Sequence, residues 1–300
     1  MRHYGVLLVM IAAVFWGISG ALANVLMDKG WTPLVIAFYR GAVGFVFFLI
    51  WTTLHFKPKG SQNYRFYLWS ILAGIGVAGN FTFYFYSIEA TSISIAVTLM
   101  YSAPVFVLLT SLIVGIERPS LYKWGSVAMV LLGIMLLTES YAIGSVPTSF
   151  SGTLFGLASG LSYALFIFGF KNASTMASTK WILSVAFLVF SVILFLLMDT
   201  SQAKNALFSS DLIWFIMLGI LGAGLSFILY VIGLRTTSPS TASIVAMVEP
   251  VTASIIGLLF LNNALSFPQG VGMVIILITI GLLNSKSSTQ TMHRVKGQSE

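Results

Sequence analysis

The sequence predicts an all-α polytopic membrane protein in which ten transmembrane helices form two inverted five-helix repeats. Hydrophobic residues make up 58% of the 300-residue chain and charged residues 8%, too little polar surface to clothe a water-soluble globule of that length. Mean hydropathy is +0.97. Ten apolar stretches follow one another, most of them near the 20 residues that a helix needs to cross a hydrocarbon core. The second half also repeats the first. Residues 84–120 laid without a gap over 230–266 agree at 9 of 37 positions, among them Tyr84/Tyr230, Ser92/Ser238, Ser94/Ser240, Pro104/Pro250 and Ser120/Ser266. Composition alone would give about three or four matches.

In the first half the stretches run over 4–27, 33–54, 66–87, 93–114 and 122–138, and in the second over 152–171, 181–198, 212–233, 240–261 and 268–284. The fifth, seventh and tenth are the shortest. None shows the period-2 alternation of barrel strands. The first ends near Ala21-Leu22-Ala23, which resembles a signal cleavage site, but it is long for a signal segment and pairs with the sixth, Trp16 against Tyr163. The repeats therefore span 1–142 and 152–285, joined by a linker over 143–151. The polar tail 286–300 carries no apolar period and is expected to be disordered. Two connections, 139–151 and 199–211, are longer than the rest and read as solvated connectors.

An odd number of spans per repeat places the halves in opposite orientations, an architecture of many secondary transporters. The formal charge of +7 would point to nucleic acid in a soluble protein, but here membrane topology accounts for it. With a cytoplasmic N-terminus, the inner segments carry Arg2, Lys57, Lys59, Arg65, Arg118, Lys123, Lys171, Lys180, Arg235, Lys286, Arg294 and Lys296, and the outer ones only Lys29 and Lys204. Both termini are thus expected in the cytoplasm of a multi-pass cell (inner) membrane protein, with the lipid bilayer and a small-molecule solute as partners and no nucleic acid. The sequence sets no oligomeric state and is compatible with a monomer.

The chain has no cysteine, which excludes disulfides and thiolate metal sites. Its three histidines, His3, His55 and His293, fall at helix ends or in tails, so neither metal nor cofactor is expected. No HExxH, GxSxG or P-loop occurs, and no enzymatic activity is expected. The Gly152, Gly156 and Gly160 spacing reads as close packing within the chain.

Candidate site residues come from the rare polar and helix-breaking positions inside spans. Pro104 and Pro250 remove the backbone donors that would bond the carbonyls of Met100 and Ala246, and the freed groups must be met by a neighbour or by water. The two prolines mark either symmetric bends along a path or packed kinks. Glu249 is the acid well inside a span, where a carboxylate costs about 2.5 to 3.5 kcal/mol on insertion scales. It is expected to carry a proton, to meet a substrate ammonium, or to pair with Arg40. Arg40, the base inside a span, lies about seven residues from the outer end of its helix, near 10 Å, a distance a snorkelling side chain can largely cover, so it reads as an interfacial anchor or a structural ion pair as well as a site residue. Trp16 and Tyr163 occupy equivalent places in the two halves, as do Tyr84 and Tyr230, each joining an apolar face to a polar tip suited to holding an organic solute. Asn80 lies one turn before Tyr84 and shares its face.

The ordered set Tyr84, Thr91, Ser94, Ala96, Pro104, Glu117, Ser120, Trp124-Gly125 and Gly133 returns as Tyr230, Thr237, Ser240, Ala242, Glu249-Pro250, Asn263, Ser266, Gly272 and Gly281. Together with Trp16-Gly17 and Arg40, it resembles the EamA domain of the drug/metabolite transporter superfamily over residues 1–285. Two departures stand out. Asn263 replaces the acid present as Glu117, and the register of the fifth helix against the tenth is open. The resemblance implies transport of amino acids, other small metabolites or drugs across the inner membrane. The expected function is a secondary transporter, in the export direction, of amino acids or similar metabolites, working by alternating access and open to proton coupling through Glu249. Efflux of lipophilic cations is the alternative, and a non-transporting membrane scaffold the alternative of another class.

Overall fold

A computed structural model describes residues 2–54, 64–117, 120–142, 149–260 and 264–296, the stretch 284–296 through its backbone only. His55, Asn263, Arg118 and most of the 143–151 linker lie outside the described residues, as do the side chains of His3 and His293. Small polar residues set where helices begin. The hydroxyls of Ser92, Ser120, Ser149 and Ser238 accept backbone N–H groups three residues on, from Ile95, Lys123, Gly152 and Thr241. Each satisfies a donor that the first turn leaves unpaired, which is why the chain starts a helix there.

The first repeat contains α1 (Arg2–Asp28), α2 (Pro33–Leu54), α3 (Arg65–Ala90), a fourth span broken into α4 (Ile93–Met100) and α5 (Ala103–Ile113), and α6 (Leu121–Leu137). The second contains α7 (Phe150–Ser174), α8 (Thr179–Leu197), the short α9 (Thr200–Leu207), then α10 (Leu212–Gly219) and α11 (Ser226–Thr236). It closes with α12 (Pro239–Val245), α13 (Val248–Phe260) and α14 (Phe267–Lys296). Eight helical segments are long and apolar enough to cross a membrane, and Leu121–Leu137 and Phe267–Leu283 are the two shorter apolar helices, giving ten spans among the described residues. Leu, Ile and Phe side chains such as Leu49, Ile113, Leu196 and Phe260 cover the outer surface, where a bilayer replaces water.

Packing follows the duplication. α3 lies against α7 and α8, and the equivalent α11 lies against α1 and the segment preceding it against α2. Likewise α4 and α5 pack on α7 as α12 and α13 pack on α1, while α2 meets α8 and α6 meets α14 across the pseudo-twofold axis. Each half thus buries its helices mainly against the other half. α6 and α14 both begin one residue after an equivalent serine, Ser120 or Ser266, so the repeats stay in gapless register at that point.

One expectation changes. The 199–211 connection is not a plain solvated loop: Asp199 caps α9 through the N–H groups of Ser201 and Gln202, and Ala203 and Ala206 are buried. Its ends tie to the α1–α2 turn, since Thr32 donates to Gln202 and both Lys29 and Trp31 donate to Asp211. The described part of the polar tail, 286–296, is drawn as a continuation of α14.

Candidate functional site

A cavity of about 290 Å³ enters the bundle from the end opposite the chain termini and stops near its middle. Helical spacing builds its walls. On α1, Trp16, Gly20, Ala23, Asn24 and Met27 recur at intervals of three or four and form one stripe; on α2, Pro33, Ile36 and Arg40 do the same. Asn80, Phe81, Tyr84 and Phe85 of α3 and Ile93, Val97, Met100 and Tyr101 of the fourth span complete the sides. Glu249 and Pro250 from α13, with Tyr163 from α7, line the deeper part.

Glu249 is placed by the break in the ninth span. α12 ends at Val245, the chain turns at Ala246 and Met247, and α13 restarts with Glu249 in its first turn. A carboxylate there faces the positive end of the half-helix. The Ala246 carbonyl, expected to be free below Pro250, accepts the Glu249 N–H at 2.9 Å. In the fourth span the equivalent break falls at Tyr101 and Ser102, where the Ser102 hydroxyl and N–H both donate to the Leu99 carbonyl at 2.6 and 3.1 Å. That turn releases Tyr101 into the cavity, where its hydroxyl faces the Glu249 carboxyl. Pro250 lines the cavity, whereas Pro104 is buried behind it.

Close approach of α1 completes the floor. A Cβ on Gly17 would stand 2.6 Å from the Glu249 carbonyl oxygen, so the absence of a side chain lets the two helices meet.

Arg40 does not snorkel to an interface. It is 9% exposed, and its Nε and Nη2 donate to the Gly222 carbonyl at 3.0 and 2.8 Å, with the guanidinium 5.0 Å from the Phe81 ring centre. Gly222 lies in a π-helical stretch, Ile220–Leu225, between α10 and α11, whose wider turn misaligns backbone carbonyls from their usual donors. The Arg40 and Glu249 side chains border the same cavity without forming an ion pair within 4 Å.

The aromatic residues separate into two groups. Trp16, Tyr84 and Tyr163 line the cavity, while Tyr230 is fully buried with its ring 4.8 Å from Trp16. Trp16 also meets Tyr163 edge-on at 6.4 Å and Phe227 at 5.1 Å. The Trp16 indole nitrogen and the Tyr163 and Tyr230 hydroxyls are buried without a partner in the protein, each at a cost of roughly 1–3 kcal/mol unless a solute or water meets it. Asn80 lines the cavity, but its amide nitrogen is engaged with the Ser159 carbonyl and hydroxyl, both at 3.1 Å, which joins α3 to α7. Sequence reasoning missed Tyr101, Asn24 and Phe81. The turn three residues before Pro104 was the one signal for Tyr101; nothing distinguished the other two.

At the terminus end the described residues close the bundle. Gly5 and Gly233 cross backbone against backbone, and Lys171 Nζ donates to the carbonyls of Leu234 and Thr237 at 2.6 and 2.9 Å.

Ten spans in interleaved inverted halves, around a half-membrane cavity that holds an acid, a base and aromatic rings, define a polytopic membrane transporter. The model of the EamA-like transporter family matches residues 3–139 and again 150–285, and the chain belongs to that family. It is similar to an uncharacterized transporter of Archaeoglobus fulgidus, 26% identical over 277 residues that cover 92% of this chain and 94% of the relative. It is also similar to GDP-fucose transporter 1 of Dictyostelium discoideum, 23% identical over 82% of this chain and 70% of that one. A solved crystal structure shares the fold with a TM-score of 0.76 at 18% identity, covering 95% of this chain and 99% of its own.

Proposed function

We propose that this transporter is a secondary carrier of amino acids or similar small zwitterions, working by alternating access, with Glu249 receiving the ammonium and Arg40 the carboxylate. One observation carries the reading: a buried base and a half-buried acid border one cavity without a direct ion pair. Withdrawing charge from water is costly, and a solute bearing both complementary charges offsets that cost. The volume of about 290 Å³ lies at the low end of ligand pockets, which span roughly 300–1,000 Å³, and suits a metabolite of amino-acid size. A nucleotide sugar, as in the name of the Dictyostelium relative, would be larger and would bring phosphate charge toward Glu249.

The basic residues argue that the termini are cytoplasmic, which makes this state outward-open, and export is the direction we assign to the carrier. Protonation of Glu249 would remove a charge during reorientation, and this is the route we assign to proton coupling. A second reading, efflux of lipophilic cations, is favoured by the Trp16, Tyr84, Tyr101 and Tyr163 rings near the Glu249 side of the cavity. Arg40 opposes it, because a cation would share the cavity with a guanidinium.

Counterflow in proteoliposomes with three matched solutes separates the readings: an amino acid, the amine lacking its carboxylate, and the acid lacking its ammonium. The zwitterion is expected to exchange at least tenfold faster than either. Equal exchange of the amine and the zwitterion would establish the cation reading, and no flux of any solute from folded protein would leave the scaffold.

A further inference from the structure

We propose that Lys123 is the residue that latches the terminus end shut, and that its counterpart Gln269 forms a weaker latch at the opposite end, so that the unloaded transporter rests with its terminus end closed. The four serines that cap the fourth, fifth, ninth and tenth spans place these groups. In the gapless alignment of the repeats Lys123 corresponds to Gln269, Glu117 to Asn263, and Ser92 and Ser94 to Ser238 and Ser240.

At the closed end Lys123 leaves its own helix and crosses to the other repeat. Its Nζ donates to the Glu117 carboxylate and to the Ser240 and Ser238 hydroxyls, at 2.6 and 3.3 Å for the serines. Glu117 crosses as well, accepting the Ser240 N–H at 3.1 Å. One ion pair from the first repeat thereby clamps the start of α12.

The opposite end carries the same parts in another arrangement. Gln269 turns back on its own helix: its Oε1 accepts the Ser266 N–H at 3.0 Å while its N–H donates to the Ser266 hydroxyl, a reciprocal cap. A lysine has three donors and no acceptor, so Lys123 cannot make that cap and is free to reach across. Ser94 and Gln269 face each other over an open gap of about 440 Å³, bordered also by Thr138 and Glu139. The charge-assisted contact already present at this end, from the Ser266 hydroxyl to Glu139, joins the tenth span to the fifth and leaves the start of the fourth span unheld; closing over Ser94 would require Gln269 to give up its cap for a neutral hydrogen bond, whereas the other end holds the start of α12 by a charge-assisted one, roughly twice as strong.

The inference rests on alternating access and is independent of the zwitterion assignment; its assay contains no solute, so either can fail alone. The cysteine-free chain provides the background for single reporters. Thr237→Cys places a thiol in the closed end, where the side chain is 3% exposed, and Thr138→Cys places one at the open gap. Labelling with a hydrophilic maleimide would be timed in nanodiscs, where both faces are accessible. Lys123→Gln is expected to speed labelling at position 237 several-fold and to slow it at 138 several-fold. Gln269→Lys, which removes nothing from the closed end and adds charge to the other latch, is expected to move both rates in the same directions. Unchanged rates in both variants overturn the proposal. If Lys123→Gln raises both rates, the closed end has merely loosened, and Gln269→Lys decides: reciprocal shifts sustain the latch, and their absence overturns it.

Discussion

At the residue scale, two charges and their neighbours carry the proposed site. Glu249 gains its place from a helix restart, so its backbone N–H and carboxylate serve different ends, one bonding the Ala246 carbonyl and the other facing the cavity. Glu249→Gln keeps the shape but not the charge. Loss of one charge-assisted contact worth about 1.5–3 kcal/mol should raise the half-saturating zwitterion concentration roughly 10- to 150-fold. If Glu249 is the proton carrier, the pH dependence of flux should flatten as well; a pH profile kept by the variant would remove that role. Arg40 differs because two of its donors are spent on the Gly222 carbonyl. Arg40→Lys retains the charge but cannot fork onto that oxygen while also reaching a solute carboxylate. It should lower both zwitterion affinity and the apparent melting temperature, whereas a residue that touches only substrate would lower the first alone.

At the element scale, broken helices do the positioning. The interruptions at residues 101–102 and 246–247 fall within one residue of equivalent places, yet the first presents an aromatic hydroxyl and the second is followed by a carboxylate. The π-helical turn between α10 and α11 supplies the carbonyl that Arg40 caps, and the equivalent stretch of α3 stays α-helical. α1 is the element whose displacement would open or collapse the floor. Gly17→Leu puts its branches where the Glu249 carbonyl and Thr252 stand, so α1 must move off α13. Overpacking of this kind costs about 1–3 kcal/mol, and the variant should fold with a lower melting temperature and lose most of its transport.

At the scale of the whole molecule, the two ends differ in charge and so in response to acid. Burial works to raise the Glu117 pKa, but hydrogen bonds from Lys123 and Ser240, with the lysine charge, hold it below the ordinary carboxylate value. A depressed folded value means that the contribution to closure is complete above the ordinary carboxylate range and is lost as pH falls through the lower, folded value. Labelling at position 237, taken relative to a freely exposed thiol at the same pH to remove the loss of thiolate, should therefore stay slow at neutral pH and accelerate only in acid. That acceleration should vanish in Glu117→Gln; an acid response that survives would place its origin elsewhere.

The span order and the doubled motif were legible in the sequence because a bilayer imposes them locally: length, apolarity and cap residues are each read within about 20 positions. Glu249 stood out for the same reason, since an acid inside an apolar run is costly wherever the helix points. Arg40 was harder to place, because depth from a helix end does not tell whether the end borders lipid headgroups or a cavity mouth. Tyr84 and Tyr230 were equal by repeat, yet Tyr84 lines the cavity and Tyr230 is sealed behind Trp16. Sequence by itself determined the ten-span inverted duplication, the family likeness and the acid in the ninth span. Only the tertiary structure decided which of two equivalent residues meets the cavity, that Arg40 caps a backbone carbonyl, and which end is closed. Those outcomes depend on how interleaved halves pack against each other, and a cavity open at one end breaks the symmetry that the duplicated sequence carries.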